Sequence, residues 1–493
     1  MTYSQHTAHQ TKWSQFGTLI TVFFFWGFVA ASNDILIPVF KKAFNLSQGE
    51  SQLVSVAFYV AYTVGSLIYA GFSKAIGMDV LNKIGYKNGI ALGLIISAIG
   101  TLLFYPAANS GSFALMLSGL FIVGLGFSLQ QIAANPLAIV MGDPSTGSQR
   151  LTMAGGINNF GTTIGPLLVS FAIFGSVSSA NTEASIESVK VPYLILGLAF
   201  LLVAIFFKFS SVPNKIDLDA VAEEEAGGKD SLKAEEKLLH KKSALQYPQL
   251  VMGMIAIFVY VGVEVATASN LPAYLEKHLD VPTQKIAPYI SLYWASLMIG
   301  RWTGAVGAFG VSKGAKQILS FLMPYLAFGV FLLVNAIAKH DVSQFYIYAA
   351  VIVVMIILDI MSKGNPVRML LLFSLAGITA LLIGMFSSGM TSAYAFTSVG
   401  LFCSTLWPCI FTIAVAGLGK STNQGSSMLI MMIMGGGIVS YIQGVLADSV
   451  GIHYSYIAGV LCFAYLAFYA IRAKSILQSQ GIDFDKLQSG GGH

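Results

Sequence analysis

Long apolar stretches recur along almost the whole of this 493-residue chain. A helix needs about 20 mostly apolar residues to cross the hydrocarbon core of a bilayer. By that criterion we count fourteen spans, near 16–40, 52–76, 88–107, 113–141, 151–176, 191–208, 249–275, 286–310, 316–338, 343–361, 368–387, 392–418, 426–447 and 453–473. Only 10% of the residues are charged, whereas soluble proteins carry about 25%. The sequence therefore predicts an all-α integral membrane protein.

The positive charges in the short connections predict the orientation of these spans, because cytoplasmic loops are rich in lysine and arginine. If each span crosses once, the side that carries the N-terminus holds Lys74, Lys83, Lys87, Arg150, Lys313, Lys316, Lys363, Arg368, Lys420, Arg472 and Lys474. The opposite side holds only Lys41, Lys42, Lys190, Lys277, Lys285 and Lys339. We therefore expect both termini in the cytoplasm. The same bias explains the net charge of +5, so no nucleic-acid partner is expected.

One polar segment, 210–246, is too rich in charge to insert into a bilayer and separates six spans from eight. It predicts an N-terminal six-helix bundle over 1–208, a cytoplasmic linker over 209–248 and a C-terminal bundle over 249–475. A cytoplasmic tail follows over 476–493, and its last five residues have the composition of a vector-derived remnant.

The three cysteines, Cys403, Cys409 and Cys462, lie in apolar stretches without C-x-x-C spacing. This pattern indicates neither a disulfide framework nor a metal centre. No histidine or Cys/His cluster is expected within the bilayer, so an enzyme and a bound cofactor are not expected either.

The two predicted halves resemble each other weakly in the order of their motifs. In the first half, a helix that should be interrupted at Asn135–Pro136 precedes a helix with four glycines between 155 and 165. In the second half, a helix that should be interrupted at Trp407–Pro408 precedes a helix with three glycines at 435–437. Corresponding broken and glycine-rich helices indicate a transporter built from repeats, with its site between them.

Few ionisable residues lie deep in the spans, where each costs about 2.5 to 3.5 kcal/mol. Asp34 follows Asn33 in the first span, and Glu264 lies just past the middle of the seventh. Arg301 and Asp359 lie nearer the ends of their helices, where a long side chain can reach water, so a structural role is favoured for both.

Uncharged polar side chains cluster on three helix faces. The fourth span carries Gln131 and Asn135, the fifth carries Asn158 and Asn159, and the seventh carries Tyr260. Any one of them is consistent with a bond between neighbouring helices. Together with the two carboxylates, they predict a hydrated cavity.

The composition of this cavity favours a neutral, polyhydroxylated solute over an organic anion. Carboxamides and carboxylates present the paired donors and acceptors that vicinal hydroxyls need, and only Arg301 offers a deep positive charge. Trp26, Trp294 and Trp407 are available to lie against the apolar face of a sugar ring, although each is also consistent with packing or interfacial anchoring.

Five motifs resemble, in the same order, those of the fucose/galactose/glucose cation symporters of the major facilitator superfamily. They are Asn33-Asp-Ile-Leu-Ile-Pro38, Ala133-Ala-Asn-Pro136, Asn158-Asn-Phe-Gly161 preceded by Arg150-Leu, Gly300-Arg-Trp-Thr-Gly304 and Gly435-Gly-Gly-Ile-Val439. They span nearly the whole chain, and together they are specific.

This resemblance implies two six-helix bundles, alternating access, and coupling of a cation at Asp34 beside Asn33. It also implies a monomeric, multi-pass protein of the cell inner membrane that binds a neutral monosaccharide. Two spans at about 316–361 exceed the six-plus-six pattern. Because an even number preserves the topology of the later spans, we expect them to pack on the periphery of the bundle.

One departure bears on the substrate and the coupling ion. Members of the fucose type have a glutamate where this chain has Gln131, which resembles the glucose/galactose branch. The loss of that titratable group tilts the expectation towards Na⁺ over H⁺, with Asp34 and nearby carbonyl oxygens of Asn33, Gln131 or Asn158 as possible ligands. The sequence therefore predicts cation-coupled symport of glucose or galactose. A sugar sensor that does not transport, and an exporter or antiporter, remain alternatives.

Overall fold

The computed structural model describes residues 12–141, 147–174, 186–215, 244–306, 313–418 and 422–485. These residues fold into α-helices joined by short turns. Most of the predicted linker, 216–243, and the end of the predicted tail, 486–493, lie outside the described residues. The all-α fold class is confirmed.

The helices of the first half alternate long membrane spans with short segments at their ends. They are α1 (Trp13–Ala43), α2 (Gln48–Ser51), α3 (Leu53–Ile76), α4 (Val80–Ile84), α5 (Tyr86–Leu102), α6 (Phe104–Ser110), α7 (Phe113–Val140), α8 (Gly147–Phe174) and α9 (Lys190–Phe209).

The helices of the second half follow the same alternation. They are α10 (Pro248–Leu279), α11 (Ala287–Ala305), α12 (Lys313–Ile337), α13 (Tyr348–Ser362), α14 (Pro366–Phe386), α15 (Gly389–Cys403), α16 (Leu406–Val415), α17 (Thr422–Met431), α18 (Gly435–Val450), α19 (Ile452–Ser455) and α20 (Ile457–Ser479). The last helix continues four residues past the predicted boundary at 475.

Thirteen helical segments within the described ranges are long and apolar enough to cross a membrane, compared with the fourteen spans predicted. The difference is α11, which occupies the position of the eighth predicted span; residues 307–310 of that span lie outside the described residues. It carries Tyr293, Trp294, Ser296 and Arg301 among its apolar residues, which lowers its hydropathy. Most of its side chains are buried against other helices, so α11 does not need a lipid-facing apolar surface.

The predicted helix interruptions are only partly correct. The interruption at Asn135–Pro136 is wrong, because α7 continues through Pro136 to Val140. A proline removes one backbone donor, and a membrane helix tolerates that loss where neighbouring helices pack around it. In the second half the helix does break, but at Ser404–Thr405, just before Trp407.

Within each half, a glycine-rich helix packs closely against the first helix of that half. In the first half α8 lies on α1, and a Cβ atom on Gly161 would come 2.2 Å from the Phe24 carbonyl oxygen. In the second half α18 lies on α10, and a Cβ atom on Gly435 would come 2.0 Å from the Phe258 carbonyl oxygen. Both contacts need glycine, because any side chain would overlap backbone. The two halves therefore share a packing solution.

The halves meet mainly through two helix pairs, α8 with α11 and α3 with α18. We call the end where α1 begins and α9 ends the linker end, and the end where α1 meets α2 the distal end. At the distal end, Lys42 forms a 3.0 Å ion pair with Glu276 across the interface. The Asp448 carboxylate accepts hydrogen bonds from the backbone N–H groups of Gln48 (2.8 Å) and Gly49 (2.7 Å). Polar contacts therefore close the distal end.

At the linker end, two groups of polar contacts among the described residues each join elements of one half. Lys87 Nζ donates to the Ser210 carbonyl at 3.0 Å in the first half. In the second half, Asp485 forms ion pairs with Arg368 (2.8 Å) and Lys474 (2.9 Å), which anchor the chain after α20. These contacts stabilise each half separately.

The helices α12 and α13 form a pair on the outside of the second half. In the apolar stretches of α12 and α13, 22% and 33% of the residues are buried, compared with 61% in that of α10. The helix α12 packs mainly on α11, and α13 packs on α14.

The three cysteines, Cys403, Cys409 and Cys462, are buried as free thiols in α15, α16 and α20.

Candidate functional site between the two halves

The carboxylate of Asp34 lies where the two halves meet. Asp34 is 3% exposed on α1, and its Oδ2 accepts a 2.8 Å hydrogen bond from Nε1 of Trp294 on α11. A hydrogen bond from a neutral donor to a carboxylate is stronger than one between neutral groups. This bond therefore ties a buried charge of the first half to a helix of the second.

The neighbouring Asn33 is equally buried but is not satisfied by the protein. Asn33 is 3% exposed, and neither its Oδ1 nor its Nδ2 has a hydrogen-bond partner in the described chain. Leaving a buried polar group unpaired costs about 1 to 3 kcal/mol. Asn33 can therefore accept a ligand hydroxyl or donate to one without breaking a protein contact.

Two tyrosines of α3 connect this region to Gln131. The rings of Tyr59 and Tyr62 stack with their centroids 6.3 Å apart. Nε2 of Gln131 donates to the Tyr62 hydroxyl at 3.4 Å. The Tyr59 phenol lies close enough to Asp34 and Glu264 to interact electrostatically with both. This aromatic face bridges the two carboxylates.

The adjacent asparagines of α8 have different roles. Nδ2 of Asn158 donates to the Phe23 carbonyl at 2.9 Å, which fastens α8 to α1. Asn159 is 2% exposed, and its Oδ1 accepts a 3.1 Å hydrogen bond from Nη1 of Arg301 on α11. Its Nδ2 has no partner within the described residues. Asn159 is therefore a second polar link between the halves with a free donor.

The Glu264 carboxylate lies within electrostatic range of Arg301, without an ion pair between them among the described contacts. Arg301 interacts electrostatically with Glu264 and with Tyr260, which precedes Glu264 by one helical turn. Oε2 of Glu264 is sealed from solvent and has no hydrogen bond of normal geometry. The Tyr293 hydroxyl donates to the Glu264 backbone carbonyl at 2.7 Å. Arg301 therefore lies near the candidate site, and the structural role favoured for it stays a prediction.

Aromatic rings flank this side of the site. The rings of Tyr260 and Trp407 are 6.2 Å apart and inclined by 58°. Tyr293 lies edge-on to Trp294, with centroids 5.5 Å apart. A flat apolar surface next to carboxamides and a carboxylate suits a ring that carries hydroxyl groups.

Trp26 and Asn135 are the two remaining predicted site residues. The Trp26 indole packs on Phe23 and donates from Nε1 to Oε1 of Gln130 at 2.9 Å, two turns from Asp34. Gln130 in turn donates to Ser97, so this chain links α1, α7 and α5. Asn135 is half-buried near the end of α7. Trp26 therefore contributes to packing within the first half.

The sequence reasoning missed Arg301 and Gln130 as partners of site residues. Arg301 follows Trp294 by seven residues, which places both on one face of α11, and this spacing was available in the sequence. Gln130 differs from the chosen Gln131 by one position, a rotation of about 100° around the helix. Only the packing of α7 decides which glutamine faces α3.

Comparison with known proteins agrees with this architecture. The sequence model of the Major Facilitator Superfamily matches residues 16–361 of this chain. This chain belongs to the major facilitator superfamily. It is 34% identical to a glucose/galactose transporter of Brucella abortus, over 92% of both chains. It is 28% identical to an L-fucose-proton symporter of Escherichia coli, also over 92% of both.

A solved structure of another superfamily member allows the folds to be compared. The crystal structure of the transporter FucP in the outward conformation covers 93% of this chain and 98% of its own, with a TM-score of 0.58 and 26% identity. The resemblance to the fucose/galactose/glucose symporters is confirmed. The protein is a multi-pass membrane transporter and not an enzyme.

Proposed function

We propose that the protein is a proton-coupled symporter of a neutral hexose of the glucose or galactose type. The observation that carries this proposal is the hydrogen bond between Trp294 and Asp34, because it joins the two halves at a buried carboxylate. The relatives named as glucose/galactose transporters support the substrate class.

The unpaired polar atoms support a sugar as the ligand. Asn33, the Nδ2 of Asn159, the Oε2 of Glu264 and the hydroxyl of Thr267 are buried without good hydrogen bonds in the described chain. A hexose has hydroxyls that donate and accept at once, which suits unpaired donors and acceptors of both kinds. Tyr260 and Trp407 supply the aromatic surface beside them. An anionic substrate would need a positive counter-charge, and Arg301 already interacts electrostatically with Glu264.

Protonation of Asp34 would couple the ion to movement of the halves. A carboxylate inside the bilayer is costly, and neutralising it lowers that cost. The proton also turns the charge-assisted bond from Trp294 into a weaker neutral one, which loosens a contact between α1 and α11. A neutral sugar gains energy from the membrane potential only through the ion, at about 2.3 kcal/mol per charge per 100 mV.

We favour H⁺ over the Na⁺ expected from Gln131. One oxygen of Asp34 is engaged by an N–H donor, which a proton tolerates better than a cation that must collect several oxygens. The relative named as an L-fucose-proton symporter supports the same choice. We further propose that both termini are cytoplasmic and that the distal end faces outward. The contacts that close the distal end then correspond to an inward-facing or occluded carrier.

Uptake of radiolabelled glucose into proteoliposomes tests this proposal, with pH and Na⁺ gradients imposed separately. We expect accumulation with an inward proton gradient, and competition by galactose. The substitution Asp34→Asn should abolish accumulation but retain exchange of labelled for unlabelled sugar, since the site survives without the titrating group.

Asp359→Asn is the matched control, because it makes the same change in a membrane helix of the peripheral pair. It should accumulate sugar as the parent does. Full gradient-driven uptake by Asp34→Asn would overturn the coupling site, and accumulation driven by Na⁺ alone would overturn the choice of ion. Sugar binding without any movement would identify a sensor.

A further inference from the structure

The peripheral pair of helices, α12 and α13, contacts the same helix that supplies Trp294 and Arg301. Two of its contacts, at Tyr289 and Ser296, fall on the opposite side of α11 from the functional site. Residues 289 and 296 are seven apart and share one face of this helix, whereas 294 and 301 share another. The pair is therefore placed behind the site.

A buried hydrogen bond joins α13 to this rear face. The hydroxyls of Tyr348 and Ser296 are 2.7 Å apart, and both residues are fully buried. The Ser296 hydroxyl donates to the Leu292 carbonyl at 2.7 Å, so Tyr348 is the donor to Ser296. Tyr348 therefore completes a chain that ends on the α11 backbone two residues before Trp294.

Two further contacts hold the distal half of α11. The Tyr289 hydroxyl donates to Oε1 of Gln344, in the turn between α12 and α13, at 2.9 Å. Nδ2 of Asn335, fully buried on α12, lies 3.5 Å from the Ser291 hydroxyl. Ser291 itself donates to the Thr163 carbonyl of α8 at 2.8 Å, across the interface between the halves. The pair is thus connected through α11 to the first half.

We propose that α12 and α13 act as a brace that fixes the rotation of α11, and that Tyr348 and Ser296 are positioning residues for the contact between Trp294 and Asp34. This inference rests on the proposed function for the role of Asp34. A small rotation of α11 moves the Trp294 indole away from a carboxylate that it meets at 2.8 Å. Loss of the brace therefore weakens cation coupling before it affects sugar binding.

The test compares Tyr348→Phe and Ser296→Ala with Tyr325→Phe. Tyr325 lies on the same peripheral pair, but its hydroxyl donates to the Ala349 carbonyl within the pair. Two quantities are measured in reconstituted protein. One is the cation concentration that gives half-maximal glucose uptake, and the other is the Trp294 fluorescence, taken as the difference between each protein and its Trp294→Phe counterpart.

We expect Tyr348→Phe and Ser296→Ala each to raise the half-maximal cation concentration about two- to tenfold, the range of one buried hydrogen bond. The KM for sugar should stay within about twofold of the parent. Trp294 emission should shift to shorter wavelength, because the excited indole loses the stabilisation that the Asp34 carboxyl gives to its N–H group. The double variant should show about the same increase in half-maximal cation concentration as each single variant, and not the product of the two increases. Both substitutions remove the same hydrogen bond. Tyr325→Phe should change neither quantity.

Both readouts equal to those of Tyr325→Phe would overturn the brace. If Tyr348→Phe does not fold, Ser296→Ala removes the same bond from the α11 side and decides by the same measurements. If Trp294 emission shifts as expected but no protein, the parent included, responds to a cation gradient, the proposed function fails while the positioning of Trp294 by the brace stands.

Discussion

The ion pairs and charged hydrogen bonds described at the two ends of the molecule connect different elements. At the distal end, Lys42 with Glu276 and Asp448 with the start of α2 join the first half to the second. At the linker end, Asp485 with Arg368 and Lys474 joins elements of the second half alone. Contacts between bodies that move apart must break in each cycle, whereas contacts within a body persist. The distal contacts are therefore the ones that report conformation.

Removing the Asp448 carboxylate should weaken the contacts at the distal end more than any other single change. It accepts from two backbone N–H groups, and such charge-assisted bonds contribute about 1 to 2 kcal/mol at an exposed position. We expect Asp448→Ala to speed hydrogen–deuterium exchange in the peptide over 48–52 by about five- to thirtyfold. Asp448→Asn, which can still accept one bond, should fall between. Unchanged exchange in both would show that Asp448 does not hold the distal end closed.

Breaking the ion pair between Lys42 and Glu276 should have a smaller effect. Its side chains are 56% and 23% exposed, and exposed pairs contribute about 0.2 to 1 kcal/mol. Lys42→Glu and Glu276→Lys should each speed exchange in the same peptide by up to about fivefold, with repulsion added. The double variant, which restores opposite charges, should return towards the parent. A double variant as fast as the singles would exclude a direct pairing.

Changing Asp485 should have the smallest effect at the distal end. We expect Asp485→Asn to speed exchange over 480–485 and to leave exchange over 48–52 unchanged. A hydrogen bond from Lys474 and the neighbouring positive charges lower the pKa of Asp485. The ion pairs therefore persist above about pH 4 and are lost only as the pH falls through that lowered pKa. Between about pH 5 and pH 8 the anchoring of this segment should not vary. Faster distal exchange in Asp485→Asn would contradict the separation of the two ends.

The membrane spans could be predicted because hydropathy is a local property of about 20 residues. The sequence also predicted α11 as a span, although its polar residues, which face other helices, give it a lower hydropathy than the other spans. The close contacts at Gly161 and Gly435 were indicated by glycine enrichment, although their partners were not. The continuation of α7 through Pro136 could not be predicted. Whether a membrane helix tolerates a proline depends on the helices packed around it, and these are distant in sequence.

The candidate site was predictable in its residue types but not in its pairs. Asp34 and Trp294 were both chosen, yet 260 positions separate them and no local pattern joins them. Arg301 was assigned to the helix end because its depth was judged from α11 alone. Asp448 was not singled out, since its role depends on the start of α2 lying opposite. Contacts between halves are properties of the assembled fold.

The burial of Cys403, Cys409 and Cys462 makes this chain suitable for site-specific labelling. Water-soluble thiol reagents need an exposed thiolate, and these three residues are 0%, 5% and 7% exposed. A single cysteine added at each rim of the two halves would then carry a spin label or a fluorophore against a silent natural background. Distances between such labels can follow the opening of the distal end in the otherwise unaltered protein.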